Sequence, residues 1–349
     1  MPQFHSLKIK EIKKETSTAV SILFEIPEDL KKYFTFVAGQ YVTVKTTIEG
    51  EDIRRAYSIC SSATSGDLKI AVKAIENGVF SNYAYNKLNN GDTLEVTAPE
   101  GNFLLKTDEN SQKNYLGFVA GSGITPVLSM MKSVLETEKK STFTLIYGNK
   151  TASETIFKEE IDALDQKYIA RINVIYVFSR ESQKEAIDGR INGDLAKLVI
   201  KDKFKHLSFD AAFLCGPEEM IHTVTESLVE NSFSKENINY ELFVSAANTK
   251  ESNLAEGVSE ITVLVDDEET TFTMDQKDTI LAASLRQNLD APYSCQGGVC
   301  SSCMALVTEG KAIMTSNSIL SEEEIDEGLI LTCKAHPTTE TISIDFDDV

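Results

Sequence analysis

Near its carboxyl end the chain reads SCQGGVCSSC, residues 294–303. Cys295, Cys300 and Cys303 follow the spacing C-x4-C-x2-C, and Cys333 comes after 29 intervening residues. This spacing is typical of the plant-type 2Fe–2S site, in which one loop supplies three thiolates and a distant part of the chain supplies the fourth. We therefore interpret these four cysteines as the ligands of a 2Fe–2S cluster.

Two glycines inside this loop favour the same interpretation. Gly297 and Gly298 let the backbone bend without a Cβ penalty, so that amide N–H groups can point at the sulfurs and tune the reduction potential. Structural zinc is the main alternative, but such sites usually pair C-x2-C with a second C-x2-C or with two histidines. Cys333 stands alone, and His336 is the only histidine near it. Zinc and a disulfide stay as the minor alternatives.

Length and charge restrict the class of protein. The 349 residues and 42% hydrophobic content indicate two or three packed domains. The net charge of -20 argues against a nucleic-acid partner, because such binding rests on Lys and Arg at the phosphates. Residues 258–349 hold 18 acidic and 4 basic side chains, a distribution that serves solubility or steers the protein towards a basic partner.

The location of the protein is also restricted by sequence. No apolar run approaches the roughly 18 residues that a membrane span needs, and the start, MPQFHSLKIKEIKK, lacks the apolar core of a signal peptide. Of the six cysteines, four come after residue 290. In a reducing compartment such a cluster more often binds metal or does redox chemistry than forms disulfides. We expect a cytoplasmic protein without a membrane span.

Three segments with different periodicity follow one another. Over residues 1–108, YVTVKTTI, LKIAVKAI and TLEVTAP alternate apolar and polar positions, which predicts an antiparallel β-barrel. Over residues 109–245, the apolar strands YLGFVA, TFTLIYGN, INVIYVFS and AAFLCG alternate with amphipathic helices. This alternation predicts a parallel sheet covered by helices on both faces, and NYELF, ending at Phe243, is its expected last strand.

A polar segment, 246–257, is predicted to be a linker to a third domain, 258–349. There, EITVLVDDEETTFTM and CMALVTEGKAIM are predicted to be hairpins, and TILAASLRQNL a helix with Asp278 as its N-cap. SEEEIDEG is predicted to be an acidic helix, and LILTCK and TISIDF to be strands. A mostly antiparallel sheet with one packed helix indicates a β-grasp domain.

Further motifs in the first two segments stand where phosphates could bind. Arg55-Ala56-Tyr57-Ser58 lies on a predicted strand, and alone it is a weak signal that a surface arginine also explains. Val72-Lys73 follows on the next strand, and then come GVFSN, 78–82, and PEGNF, 99–103. GSGITP, 121–126, joins a buried strand to a helix but departs from G-x-G-x-x-G. On physical grounds, a phosphate-binding turn and a plain strand–helix turn are equally open.

Together these motifs resemble the ferredoxin–NADP reductase superfamily: RAYS matches its flavin motif, GVFSN its phosphate loop, and GSGITP and CGPEEM, 215–220, its pyridine nucleotide motifs. The resemblance implies that Arg55 binds the flavin pyrophosphate, Tyr57 stacks on the isoalloxazine and Ser58 lies near N5. A guanidinium fork suits phosphate and an aromatic face suits a flat ring. The implied flavin-binding residues are Arg55, Ala56, Tyr57, Ser58, Val72, Lys73, Gly78, Phe80 and Ser81, with Gly78 and Ser81 at the phosphates.

The resemblance also implies a pyridine nucleotide site. Cys60 and Cys215 are each expected to be small buried core residues. For Cys215 the resemblance implies a second role: together with Ser58, it would be a catalytic residue beside the path of the hydride. Arg180 follows the third strand, where ligands bind in open α/β sheets, and would hold a 2′-phosphate, which favours NADPH over NADH. The expected residues are Gly121, Gly123, Thr125, Pro126, Ser179, Arg180, Gly216, Pro217 and, beside the flavin, Phe243.

The order of flavin barrel, nucleotide domain, linker and ferredoxin resembles the reductase components of bacterial oxygenases, among them the reductase subunits of phenylacetyl-CoA epoxidases in phenylacetate degradation. It implies that NADPH or NADH reduces FAD and that a 2Fe–2S cluster passes single electrons to an oxygenase of the di-iron monooxygenase type. A Rieske dioxygenase or a desaturase is the alternative partner, and a non-catalytic redox-sensing module the alternative function. The residues alone leave FAD and FMN open; the resemblance favours FAD.

Overall fold

The computed structural model describes residues 3–243, 257–317 and 319–349. The chain divides into two compact units, one from Phe4 to Phe243 and one at the carboxyl-terminal end. The predicted linker, 246–257, lies outside the described residues except for Gly257. The predicted boundary at 108–109 stays a prediction, since both flanking segments belong to the same compact unit.

The first part of the Phe4–Phe243 unit contains β1 (Phe4–Thr16), β2 (Ala19–Glu25), β3 (Tyr41–Ile48), β4 (Glu51–Ser58), β5 (Leu68–Lys73), α1 (Val79–Asn86) and β6 (Thr93–Thr97). The strands form one antiparallel sheet in the order β4-β3-β6-β1-β2-β5. Alternating apolar residues of these strands, such as Leu7, Ile22 and Val44, share one core. A bridge between Ile59, just after β4, and Ile70 of β5 joins the two edge strands. The predicted antiparallel barrel is confirmed.

The second part of this unit contains β7 (Asn114–Ala120), α2 (Ile124–Thr137), β8 (Thr142–Asn149), α3 (Lys158–Lys167), β9 (Ile172–Phe178), β10 (Ile187–Asp188), α4 (Gly193–Leu198), β11 (Ala211–Gly216), α5 (Glu218–Glu230) and β12 (Ile238–Leu242). The strands form a parallel sheet in the order β10-β9-β8-β7-β11-β12. Along β7, Tyr115 and Val119 pack with α2 and α3, whereas Leu116 and Phe118 pack with α4 and α5. The predicted parallel sheet with helices on both faces is therefore confirmed.

The strand order of this sheet reverses at β7, which has β8 on one side and β11 on the other. In open parallel sheets, ligands bind outside the carboxyl ends of the strands at such a switch point. The turn Gly121–Gly123 follows β7, and Gly216–Pro217 stands at the end of β11. The two motifs that were expected to bind pyridine nucleotide therefore meet at the switch point.

The carboxyl-terminal unit contains β13 (Val258–Val265), β14 (Glu268–Asp275), α6 (Ile280–Arg286), β15 (Met304–Glu309), β16 (Ala312–Met314), α7 (Glu322–Asp326), β17 (Leu329–Leu331), β18 (Ala335–Pro337) and β19 (Thr341–Asp345). Its main sheet has the order β14-β13-β19-β15-β17, with β13 and β19 parallel and the other neighbours antiparallel. Ile280 and Leu281 of α6 pack on Ile261 and Ile342 of this sheet. The β-grasp prediction is confirmed.

Two local predictions in this unit are wrong. CMALVTEGKAIM is not a hairpin, because both edges of β15 are occupied by β17 and β19. The chain turns at Gly310, φ +83°, and β16 pairs with β18 in a separate two-stranded sheet. The N-cap of α6 is Thr279, whose hydroxyl oxygen accepts a hydrogen bond from the Ala282 amide at 3.2 Å. Asp278 instead forms an ion pair with Arg286.

The acidic helix α7 is confirmed and begins with a capping box. The Ser321 hydroxyl oxygen accepts a hydrogen bond from the Glu324 amide, and the Glu324 carboxylate accepts one from the Ser321 amide. None of the helices in the described ranges is long and apolar enough to cross a membrane.

Candidate functional site

A cavity of about 800 Å³ opens at the carboxyl ends of the parallel strands, and we call it the switch-point cavity. Seven residues expected at the cofactors line it: Lys73, Gly121, Ser179, Arg180, Gly216, Pro217 and Phe243. Lys73, which was expected in the flavin set, comes from the barrel, and the other residues come from the α/β part. The cavity is therefore built jointly by the two parts of the Phe4–Phe243 unit.

The turn after β7 is fixed by hydrogen bonds from the side chains of Tyr147 and Thr125. Gly121 has φ +56°, and the buried Tyr147 hydroxyl shares its one proton between the Gly121 carbonyl oxygen at 3.0 Å and the Ile156 carbonyl oxygen at 3.2 Å. The Thr125 hydroxyl donates to the Ser122 carbonyl at 3.0 Å. Thr125 and Pro126 thus lie buried in the first turn of α2 and shape the turn, while Gly121 and Ser122 face the cavity.

Gly123 allows the turn after β7 to approach β11. A Cβ atom at Gly123 would lie 2.3 Å from the Cys215 carbonyl oxygen and 3.2 Å from the Cys215 sulfur. Since the nearest atom belongs to the backbone, no side-chain rotation could relieve that contact. The sequence G-x-G-x-x-P at this place therefore reflects close packing of two loops as well as space for a ligand.

Cys215 is fully buried, and its sulfur packs behind Gly123 instead of lining the cavity. Burial, and then the Glu241 carboxylate, raise the pKa of its thiol well above the usual range. Cys215 is therefore a neutral thiol at neutral pH, and its place beside the hydride path stays a prediction. Cys60 is a fully buried core residue, as expected, with its thiol donating to the Lys69 carbonyl at 3.3 Å.

The flavin motif lies on β4, next to β3. Arg55, Ala56 and Tyr57 are half-buried and Ser58 is buried. The Ser58 hydroxyl donates a hydrogen bond to the Glu241 carboxylate of β12 at 3.4 Å. This contact joins the end of the flavin strand to the last strand of the parallel sheet, and the sequence did not single out Glu241.

Tyr57 lies against Phe80 of α1, with ring centroids 5.5 Å apart and a tilted arrangement. Burial raises the pKa of Tyr57 despite the opposing charge of Arg55, so the phenol stays neutral. Val72 and Phe80 are buried beneath this surface. A half-buried, neutral aromatic ring beside an arginine is what a flat ring system with an attached phosphate requires.

The GVFSN loop is braced by its own side chains. Ser81 is buried, and its hydroxyl oxygen accepts from the Ile75 amide at 3.3 Å and contacts the Gly78 carbonyl at 3.4 Å. A Cβ atom at Gly78 would lie 2.2 Å from that hydroxyl. Gly78 and Ser81 therefore fit each other closely, and their contact with phosphates stays a prediction.

Besides Lys73, three cations lie along the switch-point cavity, and of these three only Arg180 was expected. Lys150 follows β8, Arg180 follows β9 and Arg190 follows the two-residue β10. Lys150 stands after its strand as Arg180 does, so the same reasoning could have found it, whereas β10 is too short to be recognised in the sequence. Glu181, the acid that directly follows Arg180, lies outside the lining, and its carboxylate accepts from the Ala152 amide at 2.7 Å and from the Gln183 side chain. The lining itself holds the acids Glu76, Glu154 and Glu219.

In the carboxyl-terminal unit the predicted ligands stand in two pairs of thiols. Cys300 donates to the Cys295 sulfur across 3.0 Å, and Cys303 is hydrogen-bonded to Cys333. The Gly297 amide donates to the Cys295 sulfur at 3.3 Å, as the loop glycines predicted. Hydrogen bonding, from the Cys300 thiol first, lowers the pKa of Cys295 to about 6.

The backbone of this loop bends at Gln296, φ 53°, and at Gly298, φ 74°. A Cβ atom at Gly298 would lie 2.9 Å from the Ser316 carbonyl oxygen, which makes this glycine necessary for space as well as for conformation. All four cysteines are free, so the disulfide alternative is not formed.

The pairing of the thiols fits a two-iron cluster. The donor set is entirely sulfur, it carries amide hydrogen bonds, and His336 lies buried in β18 with its pKa lowered by burial. Structural zinc can also take four thiolates, so it is the C-x4-C-x2-C spacing with the distant Cys333 that favours 2Fe–2S.

Comparison with protein families agrees with this architecture. Family models match an oxidoreductase FAD-binding domain at residues 6–104, an oxidoreductase NAD-binding domain at 118–226 and a 2Fe-2S iron-sulfur cluster binding domain at 263–338. FAD, NAD(P)H and a 2Fe–2S cluster are thus the cofactors of this chain, as the sequence predicted.

Individual relatives match along the whole chain. It is 37% identical to the E component of the 1,2-phenylacetyl-CoA epoxidase of Escherichia coli (strain K12), over 99% of both chains. It is 31% identical to the ferredoxin reductase component of 3-ketosteroid-9-alpha-monooxygenase of Rhodococcus rhodochrous, over 97% of this chain and 96% of the relative. The fold matches that of phthalate dioxygenase reductase with a TM-score of 0.67, at 22% identity and 98% coverage of both chains. The chain is an NAD(P)H-dependent oxidoreductase and belongs to the family of oxygenase reductase components that join an FAD domain, an NAD domain and a 2Fe–2S domain.

Proposed function

We propose that this reductase passes electrons from NADPH through FAD and its 2Fe–2S cluster to a di-iron monooxygenase of the phenylacetyl-CoA epoxidase type. The identity of 37% over 99% of the chain to the E component of such an epoxidase supports this choice of partner. The observation that carries the electron path is the switch-point cavity, since Lys73 of the barrel and Gly121 and Gly216 of the parallel sheet line it together. A nucleotide there would lie beside the flavin strand.

The side chains at this junction have distinct proposed tasks. Arg55 binds the flavin pyrophosphate, Tyr57 covers the ring and Ser58 holds the ring edge while its hydroxyl is oriented by Glu241. Phe243, at the end of the cavity, covers the opposite side until the nicotinamide arrives. When bound, FAD accepts two electrons together, and the cluster carries one at a time.

NADPH is the proposed donor because the cations Lys150, Arg180 and Arg190 stand along one cavity. A 2′-phosphate finds charge-assisted hydrogen bonds among such side chains. Binding of a ribose diol in its place usually depends on a free carboxylate beside the same strand end. The Glu181 carboxylate, next to Arg180, already accepts the Ala152 amide, and the lining acids Glu76, Glu154 and Glu219 come from other segments than the turn after β9. This arrangement supports NADPH over NADH.

The proposed location is the cytoplasm. Pyridine nucleotides are regenerated there, and four cysteine thiols that ligate a cluster have to be kept reduced. The acidic balance of residues 258–349, 18 acidic against 4 basic side chains, supports a protein partner with a basic face and speaks against nucleic acid.

The test is an anaerobic stopped-flow experiment on the reconstituted protein. NADPH should bleach the flavin absorption first and the 2Fe–2S absorption afterwards, and the reduced protein should then support turnover of a purified phenylacetyl-CoA epoxidase oxygenase. Turnover with a Rieske dioxygenase or desaturase, and none with the epoxidase, would reassign the partner. Slow reduction of every acceptor would favour a redox-sensing module and contradict the proposal.

A further inference from the structure

Helix α2 carries a polar face that has no part in the cofactor sites described above. Ser129, Lys132, Ser133 and Glu136 are spaced so that they share one face of the helix. Ser129 and Ser133 are 0% and 1% exposed and Lys132 is 9% exposed. Buried polar groups are costly without hydrogen-bond partners, so their partners show what this face is for.

All these side chains have partners in one short segment of the barrel, Cys60–Thr64. The Ser129 hydroxyl donates to the Ser61 carbonyl at 2.7 Å, and the Lys132 ammonium donates to the Cys60 carbonyl at 3.1 Å. The Ser133 hydroxyl oxygen accepts from the Ala63 amide at 3.0 Å. The Glu136 carboxylate accepts from the Ser62 hydroxyl and from the Thr64 hydroxyl, the latter at 2.6 Å.

The positions of the two bonded elements make this contact important for chemistry. The segment Cys60–Thr64 begins two residues after Ser58, at the end of the flavin strand. Helix α2 begins directly after the turn Gly121–Gly123, at the switch-point cavity. These hydrogen bonds therefore connect the end of the flavin strand to the helix that begins at the nucleotide turn.

Apolar packing alone would fix the position of α2 relative to the barrel less precisely. Met130 of α2 packs in one core with Ala38, Phe103 and Leu105 of the barrel, and such contacts are non-directional. Hydrogen bonds at successive turns of one helix fix its rotation and its position along the axis. Because a misplacement of about 1 Å can cost about a hundredfold in rate, such fixing matters for hydride transfer.

We propose that Ser129, Lys132, Ser133 and Glu136 are positioning residues that hold the nucleotide turn at the hydride-transfer distance from the flavin strand. This inference rests on the proposed reduction of FAD by NADPH. It predicts that loss of these bonds slows flavin reduction at saturating NADPH while FAD content and NADPH affinity are retained.

The test compares the double variant Ser129→Ala/Ser133→Ala with Thr137→Ala in the holoprotein. Thr137 is a matched control, since its buried hydroxyl on the same helix has no hydrogen-bond partner among the described residues. We expect the flavin-reduction rate of the double variant to fall at least about tenfold and that of the control to stay at the wild-type value. A double variant that reduces its flavin at the control rate would show that the bonds only stabilise the fold and would overturn the proposal.

Hydrogen exchange gives a readout that does not depend on activity. The Ala63 amide, held by Ser133, should exchange about tenfold faster in the double variant than in the wild type. Unchanged exchange would mean that the contact is absent in solution and would also overturn the proposal. If the wild type itself fails to reduce FAD with NADPH, the proposed function is wrong, whereas the exchange result still reports on the contact.

A second pair of variants covers the case in which the double variant loses FAD. Glu136→Gln keeps an oxygen that can accept from Ser62 and Thr64, whereas Glu136→Ala removes it. Flavin reduction should be slow in Glu136→Ala and restored in Glu136→Gln. Equal rates in these two variants would contradict the positioning role.

Discussion

The cysteine loop and the switch-point cavity are built in opposite ways. Three of the four thiols stand between Cys295 and Cys303, in one loop whose bend is fixed by its own backbone. The cavity takes its lining from the end of a barrel strand and from the carboxyl ends of the parallel strands, between Lys73 and Phe243. The first site is local in sequence except for Cys333, and the other exists only after two sheets have formed.

This difference teaches how sensitive each site is to a single change. A cluster ligand forms a covalent bond to iron that no neighbour can replace. The cavity depends on backbone turns, four cations and close packing together, so single changes should weaken nucleotide binding by graded amounts. The predictions that follow test this contrast, beginning with the largest expected effect.

Replacement of one thiol should abolish the cluster. In Cys303→Ala, which leaves no donor atom, we expect loss of the 2Fe–2S absorption and a loss of more than about 100-fold in reduction of one-electron acceptors that the cluster serves. Reduction of the flavin by NADPH should be unchanged, because its proposed residues belong to the Phe4–Phe243 unit. Iron and acid-labile sulfide analysis checks the result, with Cys60→Ala as a control thiol outside the loop. Full cluster content in Cys303→Ala would contradict the ligand assignment.

Gly123→Ala should be the most damaging change at the cavity. Its Cβ would lie 2.3 Å from the Cys215 carbonyl oxygen, and such overpacking lowers the free energy of unfolding by about 1–3 kcal/mol. Urea unfolding followed by flavin fluorescence measures this loss. Gly148→Ala gives a graded comparison, since the nearest atom to its Cβ would be the tip of the Ile191 side chain at 3.1 Å. Equal losses in the two variants would contradict the packing account.

Removal of a cavity cation should affect one nucleotide and spare the other. Arg180→Ala and Arg190→Ala are each expected to raise the Kd for NADPH about tenfold, which is about 1.4 kcal/mol, and to leave the Kd for NADH unchanged. Isothermal titration with both nucleotides measures this. Lys184→Ala removes an exposed cation outside the lining and serves as the control. An equal loss for NADPH and NADH would assign these arginines to the shared pyrophosphate.

The smallest effect concerns pH. Burial, and then the nearby Lys150, lower the pKa of Lys73 below the usual range for lysine. The charged form attracts phosphate, so NADPH affinity should be constant below this pKa and weaken, by about fivefold, as pH rises through it. Lys73→Arg stays charged throughout and should give a flat profile of Kd against pH. A wild-type profile as flat as that of Lys73→Arg would show that Lys73 does not face the nucleotide.

Much of the fold could be predicted because its signals are local. Alternation identified the barrel strands, and apolar runs between amphipathic helices identified the parallel sheet. The hairpin at CMALVTEGKAIM was wrong because the partners of β15 come from β17 and β19, which are distant in sequence. The prediction of Asp278 as the N-cap of α6 was wrong by one position, because the adjacent Thr279 is also a good N-cap residue and its hydroxyl accepts the Ala282 amide.

The residues of the candidate site also fall into those that the sequence could predict and those that it could not. Gly121, Arg180 and Gly216 could be expected at the cavity because each follows or ends a recognisable strand. Arg190 and Glu241 could not, since one follows a strand of two residues and the other stands inside a strand and reaches Ser58 across 183 positions of sequence. A contact of that separation leaves no periodic trace in a single sequence.

The sequence by itself determined the chemistry of this protein. The four cysteine positions, the glycine turns and the arginine of RAYS specify which groups are available, since their bonding depends on residue type and short spacing. Only the tertiary structure decided which of them meet. The reversal of strand order at β7 brings two glycine turns to one cavity, and the hydrogen bonds of α2 join that cavity to the flavin strand. The physical reason is that these placements depend on packing between sheets, which spacing along the chain does not encode.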